Sequence, residues 1–341
     1  MGFKWLTNNM SAQPIAVHFG SDIVRMMQIR GNKDPCLHGA VEVVSHDSAA
    51  IKIALTSFKG KRCVVSIGSS DVLVNHVRVP IAANEQEIRQ RLIKHDCRWD
   101  IAELRTVNVT TTANGGSAKQ ELLCVGIEQE KIDSAIEIIE EAGGTVIAVT
   151  VPLYASLRAF DQLYRRDGDD KITSLVIDLA EDSSIVMISH GSNCVFAHRL
   201  DFVQMVQSED NNKKIKQDPS LTPITKNTEE KEFERRSGTE PRGLQLTQNS
   251  SDSIEEKLEH ELQSCLRHHG TLFADRVVDR VIFTGRGASD TKMCSAIASK
   301  IGLEGFVADP SAWVRGAEDY ASGPAWTTAA GICMSYKGVA A

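Results

Sequence analysis

Two stretches of this chain repeat one pattern. Residues 15–44 run as an apolar strand, a short turn holding an acidic residue, and two further strands; residues 174–200 do the same. A strand-rich unit that recurs this way constrains the fold more than any single motif, because one supersecondary unit is then used twice. In the first copy Ile15, Val17 and Phe19 alternate ahead of Gly20-Ser21-Asp22, and Ile23-Val24 opens the next apolar run. In the second copy Ser174–Asp178 and Ser184–Ser189 flank a turn, and the stretch from Cys194 to Leu200 supplies the third strand. At 341 residues the chain is too long for one ordinary core, so two or three subdomains are expected.

Between and after the copies, strands alternate with helices. The stretches from Ala40 to Val44, Cys63 to Ile67 and Val72 to Val79 read as strands. Asn84, with Glu87 three residues on, predicts a helix start, and Ile88, Leu92 and Ile93 give that helix an apolar face. Residues 103–127 read as a hairpin turning at Asn114-Gly115-Gly116. Ile132, Ala135, Ile136 and Ile139 form one helical stripe that Gly143 stops. A β-branched strand from Thr145 to Val151 follows, and Pro152 opens a helix predicted over Leu153 to Tyr164. The composition then changes over residues 207–253. Three of the nine prolines and a single aromatic, Phe233, lie there among many Lys, Glu, Asn and Ser. Such a stretch buries too little apolar surface to offset its ordering entropy, so a disordered insertion is expected. Ser253-Ile254-Glu255-Glu256 reads as a capping box opening a helix that buries Leu258, Leu262, Cys265 and Leu266. An apolar strand from Val277 to Phe283 then runs into Thr284-Gly285-Arg286-Gly287. Ser289 is expected to cap the next helix, and a last helix of small residues spans Trp326 to Tyr336.

The charge balance excludes some partners. A net charge of −7 gives no bulk attraction to nucleic acid or to an anionic membrane. No apolar run reaches the ~18 residues needed to span a bilayer. Eight single cysteines, with no CxxC pair, suit reduced thiols and a cytoplasmic setting. Cys36-Leu37-His38 and His95-Asp96-Cys97 lack a second pair at ligand spacing, so no metal site is expected. His268-His269 is read as serving the dipole at a helix end.

The early turn at Gly20-Ser21-Asp22, the mid-chain hairpin at Asp178 and the late strand–Thr284-Gly285-Arg286-Gly287–helix occur in the order seen in the actin-like ATPase superfamily, which the chain resembles. Within it, the PilM type of pilus-assembly protein is the nearest in kind. The stretches "VRVPIAANEQEIRQRLIKHDCRWDIAELRTVNV", "ELLCVGIEQEKIDSAIEIIEEAGGTVIAVTVPLYASLRAF" and "RVIFTGRGASDTKMCSAIASKIGLEGFVADP" carry that resemblance. It implies an α/β, duplicated actin-like (RNase H-like) ATPase fold of two lobes with an inserted α+β subdomain. The boundaries it suggests are 14–83 and 151–169 for the first lobe and 84–150 for the insert. The second lobe takes 170–206 and 254–322, interrupted at 207–253, and a C-terminal helix occupies 323–341.

The resemblance also implies a Mg·ATP site at Gly20, Ser21, Asp178, Gly285, Arg286 and Gly287. The chain departs from the pattern there. His18 stands where the family has Asp, Leu179-Ala180 replaces an apolar residue and Gly, and Arg286 separates the two glycines. A neutral imidazole is a poor substitute for an oxygen ligand to Mg²⁺. No catalytic residue is nominated. The first functional reading is a scaffold at the inner face of the cytoplasmic membrane. It would bind the tail of a PilN-like inner-membrane pilus or secretion protein, with nucleotide binding weak or lost. The second is an active ATPase whose nucleotide state governs partner binding, and the third a small-molecule kinase. Self-association is left open.

Overall fold

The computed structural model describes residues 13–31, 34–44, 47–96, 101–114, 117–160, 171–180, 183–200 and 250–336. The expected disordered insertion, apart from its last four residues, lies outside the described residues. So do the Gly115-Gly116 turn, the polar link after Phe160 and Cys97.

Two five-stranded sheets share one topology. The first joins β1 (Ile15–Phe19), β2 (Val24–Arg30), β3 (Cys36–Val43), β4 (Arg62–Ser66) and β8 (Thr145–Thr150) in the order β3-β2-β1-β4-β8. The second joins β9 (Thr173–Leu179), β10 (Ser184–His190), β11 (Asn193–Leu200), β12 (Arg280–Thr284) and β13 (Glu304–Val307) in the order β11-β10-β9-β12-β13. In each, the first three strands run antiparallel and the last two join in parallel. Even the irregularity repeats. The register slips between Gln28 and Ile29 in one copy and between Ile188 and Ser189 in the other, at the same point of the second strand. The central strands β1 and β9 are buried along their whole length, as strands covered on both faces must be.

Parallel neighbours need crossovers, on which lie the helices α1 (Ser48–Leu55), α3 (Gln129–Glu141), α5 (Ser250–Leu272) and α6 (Thr291–Ile301). Helix α4 (Pro152–Phe160) leads from the first sheet to the second, and α7 (Thr327–Ser335) follows the last strand. Two caps differ from expectation. Helix α5 begins at Ser250, so Ser253 lies inside it and is not its cap. Ser289 instead closes the 3-10 turn Arg286–Ser289, and Asp290 caps α6, its Oδ1 accepting from the N–H groups of Lys292 and Met293. A carboxylate satisfies both the free amides and the positive helix end.

The third sheet, ordered β5-β7-β6, contains β5 (Val72–Pro80), β6 (Ile101–Asn114) and β7 (Ser117–Glu128), with α2 (Glu85–Asp96) between β5 and β6. Asn84 caps α2 as expected, its Oδ1 accepting from the Glu87 N–H at 3.0 Å. One face of this sheet buries Val77, Val79, Leu122 and Cys124 against Ile88 and Leu92 of α2. The other face adds Val74, Leu123 and Val125 to the main core. Sheet membership thus differs from the sequence-based boundaries. Strand β5, placed at 14–83 with the first lobe, pairs with the insert. Strand β8, placed at 84–150 with the insert, pairs with β4 of the first sheet. A pairing partner cannot be read from a strand's own alternation.

Edge strand β11 of the second sheet lies along β5. The Ala197 N–H donates to His76 Nε2 at 3.2 Å, Arg199 donates to the Ser70 carbonyl at 2.9 Å, and the His76 ring stacks on Phe196 with centroids 4.8 Å apart. Burial, with His268 and His198 nearby, pushes the His76 pKa down to about 4, so the ring is neutral.

At the far end of α5, His269 does not serve as an exposed cap. It is 1% exposed, its Nε2 lies 2.9 Å from His190 Nε2, and its ring tilts against Phe273. Only one of the two facing nitrogens can carry a proton without repulsion. Burial lowers the pKa of both rings, that of His269 to about 4. Unfolding restores a value near 6.5, so the unfolded chain takes up a proton that the fold refuses. Stability from this pair is therefore complete above pH ~6.5 and lost as the pH falls toward 4. The melting temperature should drop across that window, and His269→Gln should flatten the drop; thermal melts in steps from pH 7 to pH 4 measure both.

Candidate functional site

The first hairpin is a tight turn. Residues 20–23 connect β1 to β2, and the Gly20 N–H donates to the Ile23 carbonyl at 2.9 Å, closing the turn around Ser21-Asp22. The Gly20 amide, expected from the sequence to face an anion, is thus committed to the hairpin itself. The Ser21 Oγ is buried with no hydrogen-bond partner among the described residues.

His18 sits in a polar row that crosses the first sheet. Register places Glu42 opposite Arg25, Arg25 opposite His18, His18 opposite Ser66, and Ser66 opposite Thr150. Cross-strand partners share a face, so His18 and Arg25 are neighbours. His18 is 6% exposed and Arg25 3%. The Arg25 Nε donates to Glu42 Oε1 at 2.8 Å. The carboxylate in this row is therefore engaged by a guanidinium, and the site expected to hold a metal–water shell offers an imidazole beside a cation.

The second hairpin and the glycine turn meet directly. Thr284 lies beside Asp178 in the parallel ladder between β12 and β9, and Asp178 is 2% exposed. Gly285 has φ +80°, and a Cβ added there would lie 2.5 Å from Asp178 Oδ1 and 2.6 Å from the Leu179 carbonyl. A Cβ on Gly287 would lie 2.9 Å from that of Leu179. The glycines are needed because the hairpin backbone passes this close. The Gly285 N–H donates to the Pro324 carbonyl at 3.1 Å, and Thr284 Oγ1 donates to the same oxygen at 3.5 Å. Arg286 is exposed. From Pro324 the chain enters α7, which packs on β1, β2 and β4 of the first sheet.

Asp178, Gly285 and Gly287 are thus brought into one contact group, while His18, Gly20 and Ser21 sit together on the β1–β2 hairpin. Mg²⁺ requires near-octahedral oxygen ligands and gives up water reluctantly. In the first-sheet row the one carboxylate is paired with Arg25 and the other side-chain oxygens are the Ser66 and Thr150 hydroxyls, while Leu179 lies against the two glycines. Asp178, buried beside Gly285, is the remaining carboxylate of the expected site. Sequence reading flagged His18 but missed Arg25, whose position opposite it depends on hairpin register.

No family model matches the chain, and no curated protein sequence matches it. Solved structures do. A PilM–PilN type IV pilus biogenesis complex is similar at a TM-score of 0.63 with 13% identity, over 95% of this chain and 98% of that one. A protein of unknown function with an actin-like ATPase fold from Bacteroides thetaiotaomicron gives 0.45 with 12% identity, over 87% and 91%. The cytoplasmic domain of EpsL, an inner-membrane component of the type II secretion system of Vibrio cholerae, gives 0.37 with 13% identity, over 57% and 73%. Only the first of these bears weight. With the duplicated sheets, it establishes the two-lobe actin-like ATPase fold.

Proposed function

We propose that this chain is a scaffold of a pilus or secretion assembly platform. It docks the cytoplasmic tail of a PilN-like membrane partner between the first lobe and the inserted sheet, without depending on nucleotide. The observation that carries this reading is the end-to-end likeness to a protein whose solved form is a complex with PilN. Lobes with pockets and strand edges suit the capture of an extended tail. No helix among the described residues is long and apolar enough to cross a membrane, which fits attachment through a partner. The departures at His18 and Leu179 support independence from nucleotide.

The test has two arms. A fluorescent peptide copying the cytoplasmic tail of the PilN-like protein from the same genome should bind the full-length chain saturably, with or without Mg·ATP. Absence of binding in both conditions overturns the scaffold reading. In calorimetry Mg·ATP should give little or no heat; tight binding with phosphate release favours the ATPase reading instead. His18→Asp should not create Mg·ATP affinity, because Arg25 stands opposite and would pair with the new carboxylate. A gain of tenfold or more in that variant would show that the cleft is otherwise intact.

A further inference from the structure

We propose that His76, Glu121 and His268 form a binding site for a divalent first-row transition ion of the zinc type, at the joint between the inserted sheet and the second lobe. His76 lies on β5 and Glu121 on β7, diagonal neighbours on one face because His76 pairs with Leu123. His268 comes from α5. One ligand atom of each residue lies within 4.8 Å of the others. Two imidazoles and one carboxylate are the borderline donor set that zinc-type ions take, with a fourth position left for water.

The second observation is the His76 ring itself. It is held on both sides, by the stack on Phe196 and by the Ala197 N–H at Nε2. That leaves Nδ1 aimed at Glu121 Oε1, 3.8 Å away, too far for a hydrogen bond. The side chain is nine-tenths buried, and Nδ1 has no hydrogen-bond partner among the described residues. A buried, unpaired ring nitrogen next to a carboxylate and a second histidine is a site waiting for a donor–acceptor partner. Ligand bonds of ~2.0–2.2 Å in a tetrahedron set the donor atoms about 3.3 Å apart. His268 is exposed, its ring resting against those of His76 and Phe196, so a turn of its side chain closes that margin.

The proton balance gives a further signature. Nε2 accepts from the Ala197 N–H, so the neutral ring carries its proton on Nδ1. An ion can bind Nδ1 only after that proton leaves it; the proton moves to Nε2, which frees the Nδ1 lone pair and makes Nε2 a donor facing the Ala197 N–H. Ion binding and the His76–Ala197 hydrogen bond therefore exclude each other, and a bound ion should loosen β11 from β5.

Co²⁺ titrated into the full-length, chelator-treated and reduced chain tests this by its visible spectrum. The expected result is one equivalent bound with nitrogen–oxygen ligand bands and no thiolate charge-transfer band. His268→Ala, a change at an exposed position, and Glu121→Gln should each weaken binding at least ~10-fold. Cys36→Ser, at the half-exposed thiol, should not. The Ala197 amide should exchange its hydrogen faster with the ion present. Failure of the parent chain to bind, a thiolate band, or unchanged affinity in His268→Ala overturns the proposal.

Discussion

Gly331→Ala should cost at least ~4 kcal/mol and leave the chain largely unfolded at ordinary temperature. Helix α7 is the last element of the chain, yet it packs between α4 and the first sheet. Its small residues Ala329 and Ala330 join Ala16, Met27 and Val64 in one buried cluster with Ala155 of α4. At Gly331 the two helices touch backbone to backbone. A Cβ there would fall inside the Ala155 carbonyl group and within 3.1 Å of the Ala159 nitrogen. Neither atom can rotate aside, so relief requires moving α7 off α4 and opening the cluster. The better helix propensity of alanine returns only ~1 kcal/mol. Denaturant titration followed by circular dichroism measures the loss. Near-parental stability would mean that the crossing is looser than described.

Gly285→Ala should be the second most damaging change, at about 3–5 kcal/mol. Two effects add there. At φ +80° and ψ 169° the backbone lies in a region reserved almost wholly for glycine, which costs another residue about 1–3 kcal/mol, and the new Cβ meets Asp178 and the Leu179 backbone. Gly323 separates the two. It has φ +89° and ψ 166°, close to the values at Gly285, with nothing within 4 Å of an added Cβ, so Gly323→Ala should show the conformational cost alone. A difference of 2 kcal/mol or more between the variants, from paired melts, isolates the collision. Equal losses would mean that the hairpin yields and that the turn is not locked against it. Because Gly285 also donates to Pro324, ahead of α7, this change should weaken the link between the lobes as well.

Much of the fold was legible in the residues. The recurrence of strand, acidic turn and two strands at 15–44 and 174–200 corresponds to two sheets of one order, down to the repeated slip in register. Asn84 was readable as a cap because a cap acts over three residues. Ser289 was misread for a related reason: Asp290 beside it is equally able to cap, and the preceding 3-10 turn decides between them. His269 was misread because its partner, His190, lies on another element. The departures at His18 and Arg286 were visible, but the engagement of Arg25 with Glu42 was not.

What the linear order determined by itself is whatever acts within a few residues: the alternation that makes each strand, the stripes that make each helix, and the duplication that requires two sheets. Only the tertiary structure decided which edge β5 joined, how near α7 comes to α4, and that His76, Glu121 and His268 share one corner. Those outcomes depend on the docking of segments far apart in the chain. Docking is set by how whole faces interlock, and no local period carries that information.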